Sequence, residues 1–238
     1  AHGAGILTKI ERYPHVKIYE SPIPQGDVAG NQYLRRQTRI PIAMHVGNPP
    51  FITALKEDVC DGFVVCGGVS QVLREARMIA EANKVFWLQL VGTGLTATLA
   101  LHIAAVSTHA RWPAVNCDNL YENALLKDPI QVQGGYTSIP ENPGLGVEVD
   151  WDAVEQFRID VIDKPYPYPD LLIQVSWPSG EIDDYAHGLQ YWDDFIGGRR
   201  PVFVPGVRTD IIPDDGTEQW KTRYTEALKK PSWEMRPN

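Results

Sequence analysis

Two polar side chains close short apolar runs, at the point where a buried strand hands over to a loop. Glu20 ends Val16-Lys17-Ile18-Tyr19-Glu20, and His45 ends Ile40-Pro41-Ile42-Ala43-Met44-His45. A carboxylate in such a place is either a metal ligand or a structural group at a strand–loop junction. An imidazole there is a metal ligand, a general acid or base, or a plain hydrogen-bonding partner. It titrates near neutral pH, which suits proton transfer. Further along, Gln89 and Thr93 lie at the end of one apolar run, and Asn116 and Asp118 at the end of the next. These four are candidate pocket residues, with a loop carboxylate as the other reading of Asp118. Asn48 stands before Pro49-Pro50, so it either contacts a substrate or simply forms the turn. Gly67-Gly68 precedes a helical stretch. Such a pair can bring backbone N–H groups up to an anion at a helix start, or make a tight turn, and the tight turn is favoured. His102 sits inside an apolar helical run and reads as a packed core histidine.

The elements that must position these residues alternate regularly. Residues 16–20, 40–45, 62–66, 85–91 and 114–117 read as strands. Residues 6–12, 31–36, 52–58, 69–83 and 95–107 read as helices. In the fourth of these, Val72, Ala76, Ile79 and Ala80 recur at helical spacing, with Arg and Glu on the other face. The strands are short and apolar throughout, as parallel strands covered on both faces are. Repeated strand–helix units predict a doubly wound sheet or a barrel. Only five of the eight strands a barrel needs are found. The chain also begins within a helical stretch that has no N-cap, so missing N-terminal sequence is expected.

After Asp118 the character changes. Gly134-Gly135-Tyr136 and Pro140-Glu141-Asn142-Pro143-Gly144-Leu145-Gly146 are turn-rich, and Asp150 is placed to cap a helix over 151–157. Pro165, Pro167 and Pro169 make a stiff linker. Beyond it, 171–177 and 201–207 read as strands. Residues 185–196 read as a helix closed by Gly197 and Gly198, and 217–229 as a helix opened by Thr217 and Glu218. The expected organisation is therefore residues 1–164 as one unit and 165–238 as a small α+β extension packed on it. Tyr166, Tyr168, Trp177, Tyr185, Tyr191 and Trp192 concentrate aromatics in that extension. They can stack on a sugar, but a small core or an oligomer interface is the favoured reading.

Four stretches together carry a resemblance. Ile18-Tyr19-Glu20-Ser21-Pro22 resembles the Glu-x-Pro at the end of the fourth barrel strand in the mandelate racemase and muconate lactonizing group of the enolase superfamily. Gly67-Gly68-Val69-Ser70 resembles that group's glycine pair after the sixth strand, and Leu101-His102-Ile103-Ala104-Ala105 its seventh helix. Residues 134–147, with their Pro-Gly-Leu-Gly run, resemble the segment after its eighth strand. The likeness covers roughly residues 1–157. It implies an α/β chain: the C-terminal part of a (β/α)8 TIM-like barrel, about five of eight strands, plus a small α+β extension. It also implies sequence upstream of Ala1 that includes an N-terminal capping region.

The resemblance implies a metal-dependent lyase or isomerase that abstracts the proton next to the carboxylate of a small acid, with sugar-acid dehydration as the narrower expectation. Mg2+, or another divalent ion, would hold the acid and stabilise the enediolate. Glu20 would be a metal ligand, and His45 a ligand or a proton carrier. Asp118 would be catalytic, and Asn48, Gln89, Thr93 and Asn116 would bind substrate. The chain departs from the pattern where His45 stands in place of an acidic ligand. It departs again at Gln89-Leu90-Val91-Gly92-Thr93, which lacks the racemase-type histidine, and at Phe63-Val64-Val65-Cys66, which lacks a lysine base. Imidazole suits a transition metal better than Mg2+. The rival expectation is a relative that binds a small ligand without catalysis.

Bulk properties set the outer limits. Of 238 residues, 43% are hydrophobic and 22% charged, enough for a sizeable core. The net charge of −8 argues against a nucleic-acid partner. Three cysteines with no Cys-x-x-Cys pair point to reduced thiols and a cytoplasmic setting. No apolar run reaches the ~18 residues of a membrane span, and no signal peptide is visible. A homo-oligomer is expected.

Overall fold

Four of the short apolar runs become parallel strands in the computed structural model, which describes residues 2–159, 170–201 and 204–230. They are β1 (Tyr19–Glu20), β2 (Ile42–His45), β3 (Gly62–Val65) and β4 (Val85–Leu88), hydrogen-bonded in that order. Parallel neighbours need a long crossover, and a helix supplies each one. The helices are α1 (His2–Ile10), α2 (Val28–Gln37), α3 (Phe51–Lys56), α4 (Val69–Glu81) and α5 (Gly94–Val106). Asp27 starts α2 by accepting the Gly30 N–H at 2.9 Å. In α4 the predicted stripe is real: Val72, Ala76 and Ile79 are buried.

The two faces of this sheet have different jobs. Ile42, Met44, Phe63, Val65, Phe86 and Leu88 pack against apolar residues of all five helices, such as Leu7, Leu34, Ala54, Ile79 and Ile103. Each such buried aliphatic or aromatic side chain contributes about 1.5–3 kcal/mol. The intervening residues face the other way. Ala43, Val64 and Trp87 form a separate cluster with Ile18 and Trp112. Period-two alternation therefore puts Glu20, His45, Cys66 and Gln89 on that second face, one step beyond Ile18, Ala43, Val64 and Trp87.

The expected fifth strand at 114–117 does not form as a strand. The chain does run beside β4, with parallel bridges Phe86↔Ala110 and Gln89↔Val115. Trp112 N donates to Phe86 O and Val115 N to Leu88 O. Three residues thus advance against two on β4. Pro113 lies in that step with no N–H to give, so the ladder is broken there. The run then ends at Cys117, which has a left-handed backbone with φ 55°. The first expected strand is also shorter than 16–20, because Val16 N is drawn back into a turn on Tyr13 O. Later in this unit, Asp150 caps α6 (Trp151–Phe157) by accepting the Ala153 N–H at 3.1 Å. His102 is not simply packed: it is half-buried, and its Nε2 meets the Leu145 carbonyl at 3.0 Å, tying the Pro-Gly-Leu-Gly turn to α5.

The chain divides into two compact units, Ala1–Arg158 and Ile159–Asn238. In the second, β5 (Leu171–Ser176) is flanked by β6 (Ile182–Tyr185) and β7 (Arg208–Pro213), all antiparallel, with α7 (Gly188–Ile196) and α8 (Glu218–Leu228). Leu172 packs with Trp220 and Ala227 on one side, and Val175 with Trp177 and Tyr185 on the other. Two expectations are corrected here. Tyr185 ends a strand rather than starting a helix, and the third strand is β7, not 201–207. The described part of 201–207 is turn or irregular. The linker prolines 165, 167 and 169, together with Tyr166 and Tyr168, lie outside the described residues. Trp177, Tyr185 and Tyr191 belong to the unit's core, and Trp192 is half-exposed beside Phe195.

Candidate functional site

The second face of the sheet ends in a polar row. Because the strands are parallel, Glu20, His45, Cys66 and Gln89 all leave at the same, C-terminal edge. Glu20 is in register with Ala43, and His45 with Val64, so the two are diagonal neighbours on adjacent strands. The pair touches: His45 Nε2 lies 2.8 Å from Glu20 Oε1. Each side chain is 38% exposed, so the pair is open to a solute. The other ring nitrogen, His45 Nδ1, lies 4.0 Å from Cys66 Sγ.

The histidine is fixed from behind by Gln25. Its Oε1 accepts the His45 backbone N–H at 2.8 Å, and its Nε2 donates to the His45 carbonyl at 3.2 Å and to the Asn48 carbonyl. Ser21 Oγ donates to the same Gln25 Oε1 at 2.6 Å. Ser21 itself has a left-handed backbone, φ 45°, which turns the chain sharply away from Glu20. Gln25 thus binds the exit of β1 to the end of β2. Nothing in the pattern of Ser21-Pro22-Ile23-Pro24-Gln25 marks it in advance.

The other expected site residues divide. Gln89 stands on the same face, and its Oε1 is buried with no hydrogen-bond partner among the described residues, as is Trp87 Nε1 on that face. Asn116 donates from Nδ2 to the Leu90 carbonyl at 3.1 Å, and its own carbonyl accepts from Gly92 N. It therefore shapes the end of β4. Thr93 is the N-cap residue of α5 and lines a cleft of about 180 Å3 with Tyr121, Asn123 and Phe157. Asp118 opens a 3-10 turn, Asp118–Leu120, and is half-buried. No hydrogen bond or ion pair among the described residues joins Asp118 to Glu20 or His45. Asn48 is exposed and serves its turn, next to a cis bond to Pro49 and to Gly47 at φ 116°. Gly67 is also at positive φ, 108°, which agrees with the tight-turn reading of the glycine pair.

Of the oxygen donors that Mg2+ prefers, these residues supply one, the Glu20 carboxylate. Mg2+ wants an octahedral set of oxygens, with carboxylates among them. Here one carboxylate meets an imidazole, and the imidazole spends Nε2 on that carboxylate. No group of three His, Cys, Asp or Glu side chains suited to a metal is found among the described residues. What the arrangement can do by itself is hold an imidazole in one orientation with Nδ1 turned towards a neighbour.

With this geometry in hand, the relatives can be placed. Residues 5–153 match the family model described as enolase C-terminal domain-like. The chain belongs to that family. Among relatives of this enolase-type barrel, D-galactarolactone cycloisomerase of Agrobacterium fabrum is 27% identical over 160 residues, covering 63% of this chain and 39% of that protein. Muconate cycloisomerase 1-2 of Acinetobacter lwoffii is 25% identical over 155 residues, covering 61% of this chain and 40% of that protein. The crystal structure of muconate cycloisomerase from Pseudomonas fluorescens superposes with a TM-score of 0.57 at 18% identity, over 66% of this chain and 46% of that one. That structural likeness speaks for the fold: an α/β chain that forms part of a TIM barrel. This enolase-family chain spans less than half the length of these relatives. No helix among the described residues is long and apolar enough to cross a membrane.

Proposed function

We propose that this chain carries part of the rim of a lyase or isomerase that moves the proton next to the carboxylate of a small acid, a sugar acid being the favoured class. His45 is the group that carries the proton, and Glu20 holds its ring. The single observation behind this is the 2.8 Å contact between His45 Nε2 and Glu20 Oε1 at the C-terminal ends of parallel strands. That edge is where barrels of this kind place their chemistry. The two curated relatives, both cycloisomerases, support the reaction class. Gln89, with a buried acceptor unspent, is placed to take a hydrogen bond from substrate. Asn116, Thr93 and Asp118 remain proposed neighbours of that substrate.

The test is exchange of the α-proton. A panel of sugar acids and their lactones is incubated with the full chain in D2O, with Mg2+ present throughout, and proton NMR reads the loss of the α-proton signal. Exchange with at least one acid is expected, with a drop of at least about a hundredfold in His45→Ala, the usual scale for a general acid or base. Exchange that survives His45→Ala unchanged would overturn the assignment. A second reading is a relative that binds a small acid without turnover. His45, standing where the resemblance implies an acidic ligand, favours it. Binding without exchange for every acid in the panel would select it.

A further inference from the structure

The proposed chemistry uses residues of the first unit only, and the second unit has an unguarded strand of its own. Its strand order is β6-β5-β7, so β6 and β7 each have one side without a strand neighbour among the described residues. The two edges are not alike. β6 is four residues long, carries Asp183 and Asp184, and has both α7 and α8 packed on it. Short length, charge and a covering helix are what keep an edge from pairing with another chain. β7 is six residues long, largely exposed, and runs beside β5 one to one from Arg208 to Pro213 with no bulge. It holds no lysine, and its single proline is its last residue. Ile211 on this strand is 68% exposed. Such a strand is a template for one more.

We propose that β7 pairs antiparallel with β7 of a second copy of this chain, about a two-fold axis through Thr209. This gives the expected homo-oligomer its contact. An axis perpendicular to the sheet joins like faces, so each residue meets one an even number of positions away. Several centres along the strand compete, and the side chains choose among them. Centring on Arg208 or on Asp210 sets like charges directly opposite each other, which is unfavourable. Centring on Ile211 draws Pro213, which has no N–H, into the ladder. It also draws in Ile212, whose carbonyl already accepts from Trp220 Nε1 at 3.2 Å. Centring on Thr209 avoids both faults. Arg208 then stands opposite Asp210 of the second copy, once on each side of the axis, and Ile211 stands opposite its Val207. Within one chain Arg208 and Asp210 approach only to 3.5 Å, and both side chains are open to solvent, so each is free to pair across the axis. The contact uses the same patch twice and closes on itself, which yields a dimer rather than a fibre.

The full chain is run through size exclusion at about 100 µM, high enough to populate a weak edge contact, and light scattering reads its mass. Arg208→Asp and Asp210→Arg are each expected to halve the wild-type mass, because each sets like charges opposite across the axis. An equimolar mixture of the two variants is expected to regain the wild-type mass, since the two changes then face each other with opposite sign. Mixing leaves the repulsion within each strand as it was, so recovery comes only from the contact between copies. Variants that keep the wild-type mass would overturn the proposal. So would a mixture that stays at half, or a wild type with the mass of one chain. Where far-UV circular dichroism shows a variant unfolded, Thr209→Cys decides. Residues directly opposite in an antiparallel pair have Cα atoms about 4.5–5.5 Å apart, within disulfide reach. Mild oxidation is expected to give a covalent dimer in Thr209→Cys, above the level of the wild type and of Ile211→Cys. No such dimer, or one formed by Ile211→Cys in its place, overturns the pairing. Mass and cross-linking are read without turnover, so this test and the α-proton test fail independently.

Discussion

At the scale of single residues, the same residue type means different things in different places. Cys60 and Cys66 bracket β3, yet one is sealed in the helix-side core and the other faces the imidazole. Burial pushes the Cys60 thiol up to about 12. In the unfolded chain the thiol titrates at its ordinary value. Between about pH 9 and 12 the folded state then holds a proton that the unfolded state has lost, so stability is full below that window and falls as pH rises through it, by about 1.4 kcal/mol per pH unit. Urea unfolding at pH 8 and pH 10 checks this. The wild type is expected to lose about 1 kcal/mol more than Cys60→Ala over that interval, and equal losses would contradict it. Glu20 and His45 were legible in the sequence because each ends an apolar run. Cys66 was not, since a strand buried on both faces shows no alternation to say which way a residue points. Gln25 was invisible for another reason: three of its side-chain hydrogen bonds go to backbone twenty or more residues away.

At the scale of elements, the strand–helix alternation was legible because both periods are strong in this chain. Its failures have local causes. Pro113 interrupts the ladder beside β4, so a run that looks like a strand makes only scattered bridges. In the second unit, β7 reads Arg-Thr-Asp-Ile-Ile-Pro and is largely exposed, so the apolar 201–207 run before it looks the better strand. The close packing under the rim gives an element-scale prediction. Gly62 begins β3, and a Cβ there would lie 2.5 Å from the Trp112 ring and 2.5 Å from the Val85 carbonyl oxygen. Gly62→Ala must push the 109–116 segment away from the sheet. The expected cost is roughly 1–3 kcal/mol, seen as a lower urea midpoint. An unchanged midpoint would show that this segment is not packed as described.

At the scale of the whole molecule, two cores are built on different principles. The first unit covers a parallel sheet with helices on one face and keeps its polar row at one end of the other. The second packs an antiparallel three-stranded sheet between α8 and a cluster of aromatic and apolar side chains. The sequence puts the boundary at the proline-rich stretch, 164/165, and the compact units divide at 158/159; the family was legible from four spaced motifs. The site was legible only in part, because its central contact joins residues 25 positions apart across two strands.

The contact that everything else depends on can be seen directly. Long-range proton–nitrogen NMR of the histidine rings reports which nitrogen carries the proton. The account predicts that His45 Nε2 carries one, with a downfield resonance that disappears in Glu20→Gln. A His45 ring protonated on Nδ1 alone, or an Nε2 signal indifferent to Glu20→Gln, would contradict it.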